Sequence, residues 1–268
     1  MSDPSDAPVL LEIDAGIATI TLNRPKRLNA LSNELTPALQ AAIDQVAADR
    51  AVRCVILTAN GRAFCAGADL ADVQPFYERG ESPDLGRFLR EAYNPLILPI
   101  VRMEKPVIAA VNGIAAGAGA SLALACDIVI AAEDSAFFQA FVKVGLIPDS
   151  GAHFLLPHLI GYRKALELAM TGDIVSASDA QRIGLINAVV PTDELLTRVR
   201  KEWAEPFATG PTRAYALMKH AMRFGATHTL DQTLELEADL QSQISLTADH
   251  KEGITAFLEK RAPKFEGR

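Results

Sequence analysis

Apolar and polar positions alternate over Val9–Asp14 and again over Ile17–Leu22, with Ala15-Gly16 between them where a tight reversal is wanted, so the chain opens with a predicted β-hairpin. After Asn23-Arg24-Pro25 the period changes. Leu35, Leu39, Ile43 and Val46 recur on one helical stripe behind Ser32, a residue type that caps helix starts, which predicts an amphipathic helix over 33–48. A β-branched run at 53–58 then closes a strand, helix, strand unit. The pattern repeats with a glycine-containing loop at 60–69, a helical stretch at 85–103, a strand at Val107–Val111, a small-residue helix from Gly117 and a strand at 127–131. Such alternation implies parallel strands joined by helical crossovers. From Tyr162 onward the periodicity is almost all helical, at 165–170, 177–183, 193–203, 211–223, 230–247 and finally 250–261. The expected organisation is an α/β core over 1–195 followed by a helical region over 196–268.

With 268 residues, 49% hydrophobic and 22% charged, the chain has ordinary globular composition and can bury a substantial core in one large domain. A net charge of -7 argues against nucleic acid or an anionic membrane surface as the main partner, since both need a broad basic field. Any anionic ligand must therefore meet a local basic cluster. Cys54, Cys65 and Cys126 are odd in number and widely spaced, with no metal-ligand pattern around them, and are expected to be reduced core thiols. The first twenty residues lack a basic segment followed by an apolar run, and the richest apolar stretch, 107–132, is interrupted by Asn112, Ser121 and Asp127. A cytoplasmic protein without a membrane partner is the expectation.

Two small-residue segments stand where chemistry belongs in an open α/β sheet, between a predicted strand and a predicted helix. They are Phe64-Cys65-Ala66-Gly67-Ala68-Asp69-Leu70 and Asn112-Gly113-Ile114-Ala115-Ala116-Gly117-Ala118-Gly119-Ala120-Ser121. They could present free backbone N–H groups to a ligand, or merely let a helix approach the sheet closely. A dinucleotide site fails, because Gly117-Ala118-Gly119 lacks the third glycine of that fingerprint, with Leu at 122.

These segments, together with Asn23-Arg24-Pro25, Asn29-Ala30-Leu31, Lys105-Pro106-Val107-Ile108-Ala109-Ala110-Val111-Asn112-Gly113 and Ala125-Cys126-Asp127, resemble the enoyl-CoA hydratase/isomerase (crotonase) superfamily in residue type and order. The likeness runs from about residue 9 to the C-terminus. It is greatest to the branch holding the enoyl-CoA isomerases and the ring-epoxide isomerase of phenylacetyl-CoA breakdown. The resemblance implies an α/β crotonase fold, a spiral of ββα units followed by a C-terminal helical trimerisation region. It also implies an acyl-CoA thioester substrate, a homotrimer or dimer of trimers, and no metal or redox cofactor, coenzyme A entering as part of the substrate.

By position, the resemblance places an oxyanion hole for the thioester carbonyl at the backbone N–H groups of Ala66 and Ala118. The two glutamates with which hydratases of the superfamily activate water fall at Ser121 and Phe141, neither of which is a base. A carboxylate does follow, Asp149 in Ile147-Pro148-Asp149-Ser150-Gly151, at a position where related isomerases carry an acid. One carboxylate suffices for a 1,3-proton shift, and apolar neighbours such as Phe141, Leu146 and Phe154 would raise its pKa. The plainer reading of Asp149 is a helix N-cap. His153 departs from the ring-epoxide isomerase pattern and is either a substrate or Asp149 contact or a surface residue.

For coenzyme A the resemblance points to Lys26 and Arg27, otherwise a solvated loop, to the backbone of Ala66, Gly67, Ala68, Asp69 and Leu70 near the adenine, and to Phe257 and Lys260 completing the pocket of a neighbouring subunit. Tyr93 and Asn94 either line the acyl pocket or pack and cap. Asp127, Glu133 and Asp134 are expected to be structural, and acyl specificity should depend on how 73–93 folds over the site. Two other functions remain open: a hydratase in which Asp149 alone activates water, and a regulatory protein that binds acyl-CoA without turnover.

Overall fold

The hairpin forms as its alternation requires. In the computed structural model, which describes residues 7–268, β1 (Val9–Asp14) pairs antiparallel with β2 (Ile17–Leu22). Ala15 and Gly16 take φ of 49° and 78°, as a two-residue turn matching the strand twist needs. The opening residues 1–6, part of the segment read for a leader, lie outside the described residues.

A 3-10 turn at Pro25–Arg27 leads to α1 (Leu35–Ala48), which starts two residues later than the apolar stripe predicted. Ser32 nonetheless acts as the cap, its hydroxyl accepting from the N–H groups of Leu35 at 3.1 Å and Glu34 at 3.3 Å. Next come β3 (Cys54–Ala59), β4 (Ala63–Cys65), α2 (Gln74–Glu78) and α3 (Leu85–Phe88). A π-helical turn at Leu89–Tyr93 joins α3 to α4 (Asn94–Arg102). Then follow β5 (Val107–Val111), β6 (Ile114–Ala116), α5 (Ala118–Leu124), β7 (Ile128–Ala132), β8 (Ala136–Phe138), α6 (Ala152–Ile160), α7 (Tyr162–Thr171), β9 (Val175–Ser176), α8 (Ala177–Arg182) and β10 (Ala188–Val190). The chain ends in α9 (Leu195–Arg198), α10 (Glu205–Thr209), α11 (Thr212–Gly225), α12 (Leu230–Ile244) and α13 (Ala248–Glu259).

The strands form two sheets. One has the order β1-β2-β3-β5-β7-β10 and is parallel from β2 onward; the other has the order β4-β6-β8-β9. Three times a long strand of the first sheet runs through a short loop into a three-residue strand of the second: β3 to β4, β5 to β6, β7 to β8. Helical segments then return the chain. This is the ββα spiral that the resemblance implied.

Several expectations are corrected here. The loop at 60–69 contains β4, the helix at 85–103 is three segments with a π turn in the middle, and β9 and β10 interrupt the helical second half. The helix at 193–203 starts in a 3-10 turn and ends in a π turn, and 230–247 stops at Ile244, with Thr247 capping α13.

Between the sheets and α1, α4 and α5 lies the main core, including Leu39, Phe64, Leu96 and Phe137. Ile17, Ile56, Ile108 and Ile130 point to the opposite face of the large sheet and are covered by Leu195, Val199 and Ala208, so α9 and α10 pack directly on the strands. Cys54, Cys65 and Cys126 are buried free thiols, and burial pushes the first two up to about 12.

Candidate active site

The loop after the hairpin is pinned by Asn29, which is fully buried at φ 53°. Its Oδ1 accepts from Arg24 N–H at 2.8 Å, while its Nδ2 donates to the carbonyls of Ala63 at 2.7 Å and Asn60 at 2.9 Å. These bonds hold residues 28–31 beside the end of β4. Three backbone bonds then fix the next loop: Ala66 N–H to Leu28 O at 3.0 Å, Leu31 N–H to Gly67 O at 2.7 Å, and Asp69 N–H to Leu31 O at 2.9 Å.

Ala66 is therefore corrected as an oxyanion donor, because its N–H is already committed to Leu28. Two residues on, the N–H of Ala68 has no acceptor among the described residues. Gly67 turns the chain with φ 88°, and a Cβ there would lie 2.8 Å from Ala116 O, so the loop abuts the end of β6. Ala118 opens α5 just beyond, and its N–H likewise has no acceptor among the described residues. Both alanines line one cavity of about 1060 Å³.

Asp149 lines the same cavity. Its carboxylate does not cap α6, whose first position is preceded by Gly151, so the N-cap reading falls. Its backbone carbonyl accepts from Ser121 Oγ at 3.1 Å, and its Oδ1 from Ser150 Oγ at 2.8 Å. Burial raises the Asp149 carboxyl above its ordinary range, opposed by the Ser150 hydroxyl and by His153. Ser121, fully buried at one hydratase glutamate position, thus holds the acid loop through its main chain, and Phe141 at the other is buried against Gly117.

Four other carboxylates line the cavity, and each is engaged. Asp44 accepts from Gln40, Asp69 from Arg27 and Ala71 N–H, Asp72 from Asn33 N–H, and Glu91 from Arg87. Asp149 alone has only a neighbouring serine.

Tyr93 enters the cavity from the π-helical turn, and its hydroxyl has no hydrogen-bond partner among the described residues. Burial, with the charge of Asp149 second, raises its pKa. Asn94 is exposed and His153 is exposed, neither lining the cavity; of the alternatives open for His153, a surface position is the one observed, with no hydrogen bond to Asp149.

Arg27 bonds Asp69 at 3.2 Å, and Arg24, which sequence reasoning passed over, reaches Ser32 at 2.6 Å and Asp69 at 3.7 Å. Lys26 is exposed beside them. Gly67, Asp69 and Leu70 line the cavity, whereas Phe257 and Lys260 sit on α13 and at its end and touch no part of it, Phe257 being 81% exposed.

Residues 12–268 match the enoyl-CoA hydratase/isomerase family model. The chain is 46% identical over 262 residues to the 1,2-epoxyphenylacetyl-CoA isomerase of Escherichia coli, covering 97% of this chain and 98% of that one. It is 39% identical over 258 residues to the crotonyl-CoA hydratase of Syntrophomonas wolfei, covering 96% and 97%. Among solved structures, the enoyl-CoA hydratase of Bacillus anthracis superposes with a TM-score of 0.88 at 35% identity, covering 97% and 100%. With the family model matching residues 12–268 and relatives aligned along nearly the whole length, the chain belongs to the enoyl-CoA hydratase/isomerase family and has the crotonase fold.

Proposed function

We propose that this chain is an acyl-CoA isomerase that shifts a double bond, or opens a ring epoxide, by moving a proton through Asp149. The observation that carries the reading is that Asp149 is the one carboxylate of the cavity left unengaged by a cation, amide or backbone N–H, and that it is desolvated, while Ser121 and Phe141 supply no second acid to hold a water. The 46% identity to a protein described as an isomerase supports it.

On a 3-enoyl thioester, Asp149 takes the proton from C2, the electron pair moves through the C2–C1 bond onto the thioester oxygen, and the C3=C4 bond becomes part of a dienolate. The oxygen accepts hydrogen bonds from the Ala68 and Ala118 N–H groups. Loss of one such donor typically costs on the order of 10²- to 10³-fold in rate. Asp149 then returns the proton to C4, leaving a C2=C3 bond and the carboxylate regenerated. No metal or redox cofactor takes part.

The phosphates of coenzyme A meet Lys26 and Arg27, with the backbone from Gly67 to Leu70 along the adenine. Met222, Leu230, Phe257 and Leu258 form exposed apolar surface on α11 to α13, which supports assembly as a homotrimer or dimer of trimers in which Phe257 and Lys260 serve a neighbour's pocket. The cytoplasm is the compartment this reading assigns.

Mixing the protein with a 3-enoyl-CoA and following conjugation by ultraviolet absorbance tests the proposal. Conjugation without gain of water, lost on Asp149→Asn, is expected. Net addition of water to a 2-enoyl-CoA would instead make the chain a hydratase with a single-carboxylate site, and tight binding without turnover would make it an acyl-CoA sensor.

A further inference from the structure

Four exposed residues, Asn33, Pro37, Ala41 and Asp44, stand three or four positions apart in the chain, and all of them line the cavity that holds Ala68, Ala118 and Asp149. That spacing puts them on one face of a helix. The helical turn is already formed at Ser32, whose carbonyl accepts from Thr36 N–H at 2.9 Å. On the opposite stripe Leu35, Leu39, Ile43 and Val46 are buried in the main core. The cavity therefore runs along α1 instead of stopping at the catalytic groups. With a helical rise of about 1.5 Å per residue, Asn33 and Asp44 stand about 16 Å apart along the axis.

One end of this length is fixed at the reaction centre. Leu31 pairs with Ala68 in an isolated bridge, and Asn33 follows Leu31 closely, so Asp44 marks the far end. Facing α1 across the cavity are apolar side chains: Tyr77 from α2, Leu85 and Phe88 from α3, and Leu89 and Ala92 from the π turn. Tyr77 is 60% exposed and the others are half-buried, so packing within the protein leaves part of this wall uncovered.

Coenzyme A is poorly matched to the same space. Asp44, Asp69, Asp72, Glu91 and Asp149 line the cavity, and among the described residues no lysine, arginine or histidine does. Its phosphates would be repelled along such a wall, whereas Lys26 and Arg27 stand outside the cavity, Arg27 meeting Asp69 at 3.2 Å.

We propose that the cavity along α1 is an acyl channel that takes a linear, uncharged chain, with Ala41 as the residue that gauges its length. This deepens the isomerase reading and rests on its placing the thioester carbonyl at Ala68 and Ala118. Bonds of about 1.5 Å at about 111° advance an extended chain by about 1.25 Å per carbon, so the channel holds about twelve carbons. A compact aromatic acyl group is much shorter and reaches only the Asn33 end.

Saturated thioesters bind without reacting, so titration calorimetry with butanoyl-, octanoyl-, dodecanoyl- and hexadecanoyl-CoA, each below its micelle concentration, reads the channel apart from the chemistry. A fully buried methylene is worth about fourfold in affinity, and about twofold is expected where one wall stays exposed; dodecanoyl-CoA should then bind on the order of 10²-fold more tightly than butanoyl-CoA. Hexadecanoyl-CoA should gain no more than about twofold beyond that, because its end projects past Asp44. Ala41 lies about 12 Å along the axis from Asn33, so Ala41→Trp should halt the gain at about eight carbons and bring octanoyl- and dodecanoyl-CoA within about twofold of each other. Gln45→Trp, exposed on the same helix but outside the cavity, is the control and should keep the wild-type profile.

An affinity that does not rise beyond butanoyl-CoA, tighter binding of phenylacetyl-CoA than of dodecanoyl-CoA, or an Ala41→Trp profile equal to wild type would each overturn the channel. So would an Ala41→Trp variant that weakens free coenzyme A as much as dodecanoyl-CoA, since the nucleotide would then lie along α1. If no ester binds, the acyl-CoA reading falls as well. If the profile holds but a 3-enoyl-CoA is not isomerised, the reaction assigned to Asp149 falls and the channel stands. Melting curves check that both tryptophan variants fold, and Ala41→Leu replaces Ala41→Trp if that one does not.

Discussion

Gly119 lies where α5 packs closely on β4, and a methyl group there probes whether that approach sets the proposed oxyanion donors. A Cβ at Gly119 would sit 2.2 Å from Cys65 O and 2.7 Å from both Cys65 Cβ and Sγ. Carbon atoms in contact ordinarily stand about 3.5–4.0 Å apart, so α5 and β4 must separate by roughly 1 Å to admit it. Overpacking of this kind costs about 1–3 kcal/mol, and for a chain of this size that lowers the melting temperature by roughly 2–4 °C per kcal/mol.

The catalytic loss should be larger. Ala118 adjoins Gly119, and Ala68 follows Cys65 by three residues, so the shift opens the gap between the two free N–H groups. A misplacement of about 1 Å at reacting groups costs on the order of 10²-fold in kcat. Gly119→Ala should therefore fall about 10²-fold in kcat for 3-enoyl-CoA conversion with a small change in KM.

Gly80→Ala is the control. Gly80 has φ 71° and nothing within 4 Å of a built Cβ, so it should lose about 1–2 kcal/mol to left-handed backbone strain and keep full activity. If Gly119→Ala melts early but turns over normally, the α5–β4 spacing does not govern the donor pair. If it neither melts early nor slows, the close approach itself is refuted.

Four further outcomes are expected. Asp149 must be ionised to take a proton, and burial raises its pKa above 3.8, so log kcat/KM should rise with pH through a value above the ordinary carboxylate range. A raised folded pKa means the native state binds the proton more readily, so the wild type loses stability as pH climbs from 3.8 through that value. Asp149→Asn should accordingly have a higher denaturant midpoint than wild type near neutrality but not in acid; a lower midpoint at both would contradict the burial argument. Tyr93→Phe breaks no hydrogen bond among the described residues, so its melting temperature should hold while kcat/KM drops about tenfold if the hydroxyl meets bound substrate; unchanged kinetics would make Tyr93 a packing residue. Lys105 Nζ bonds the carbonyls of Val46, Ala47 and Asp49 at 2.5, 3.1 and 2.6 Å, so Lys105→Met should uncap the end of α1 at a cost of about 2–3 kcal/mol, read by urea denaturation.

That last contact shows why motif and mechanism are separable in this chain. Lys105 and Asp127 stand in the most recognisable segments, yet both act on the scaffold: Lys105 terminates α1, and Asp127 accepts from Val107 N–H at 2.8 Å and pairs with Lys219 at 2.6 Å. Asn29 likewise spends its amide on Arg24, Asn60 and Ala63. The long strands and amphipathic α1 were legible because five or more consecutive residues display a pattern. β4, β6 and β8 were not, since three residues cannot show an alternation, and Ala and Gly carry little strand preference.

The same limit applies to the proposed donor pair. Ala118 is placed only by the family resemblance, and Asp149, which local sequence reads as a helix cap, gains its role from the same resemblance together with the missing glutamates at Ser121 and Phe141. Ala66 and Ala68 differ in nothing that a sequence displays. What separates them is Leu28 O, brought up by a left-handed turn in a segment nearly forty residues earlier, which takes one amide and leaves the other. Two residues of extended chain span roughly 6.6 Å, and Gly67 at φ 88° turns the chain between them, so the two amides cannot share one acceptor. A catalytic role carried by main chain is therefore readable only once tertiary structure has settled which amides are already spent.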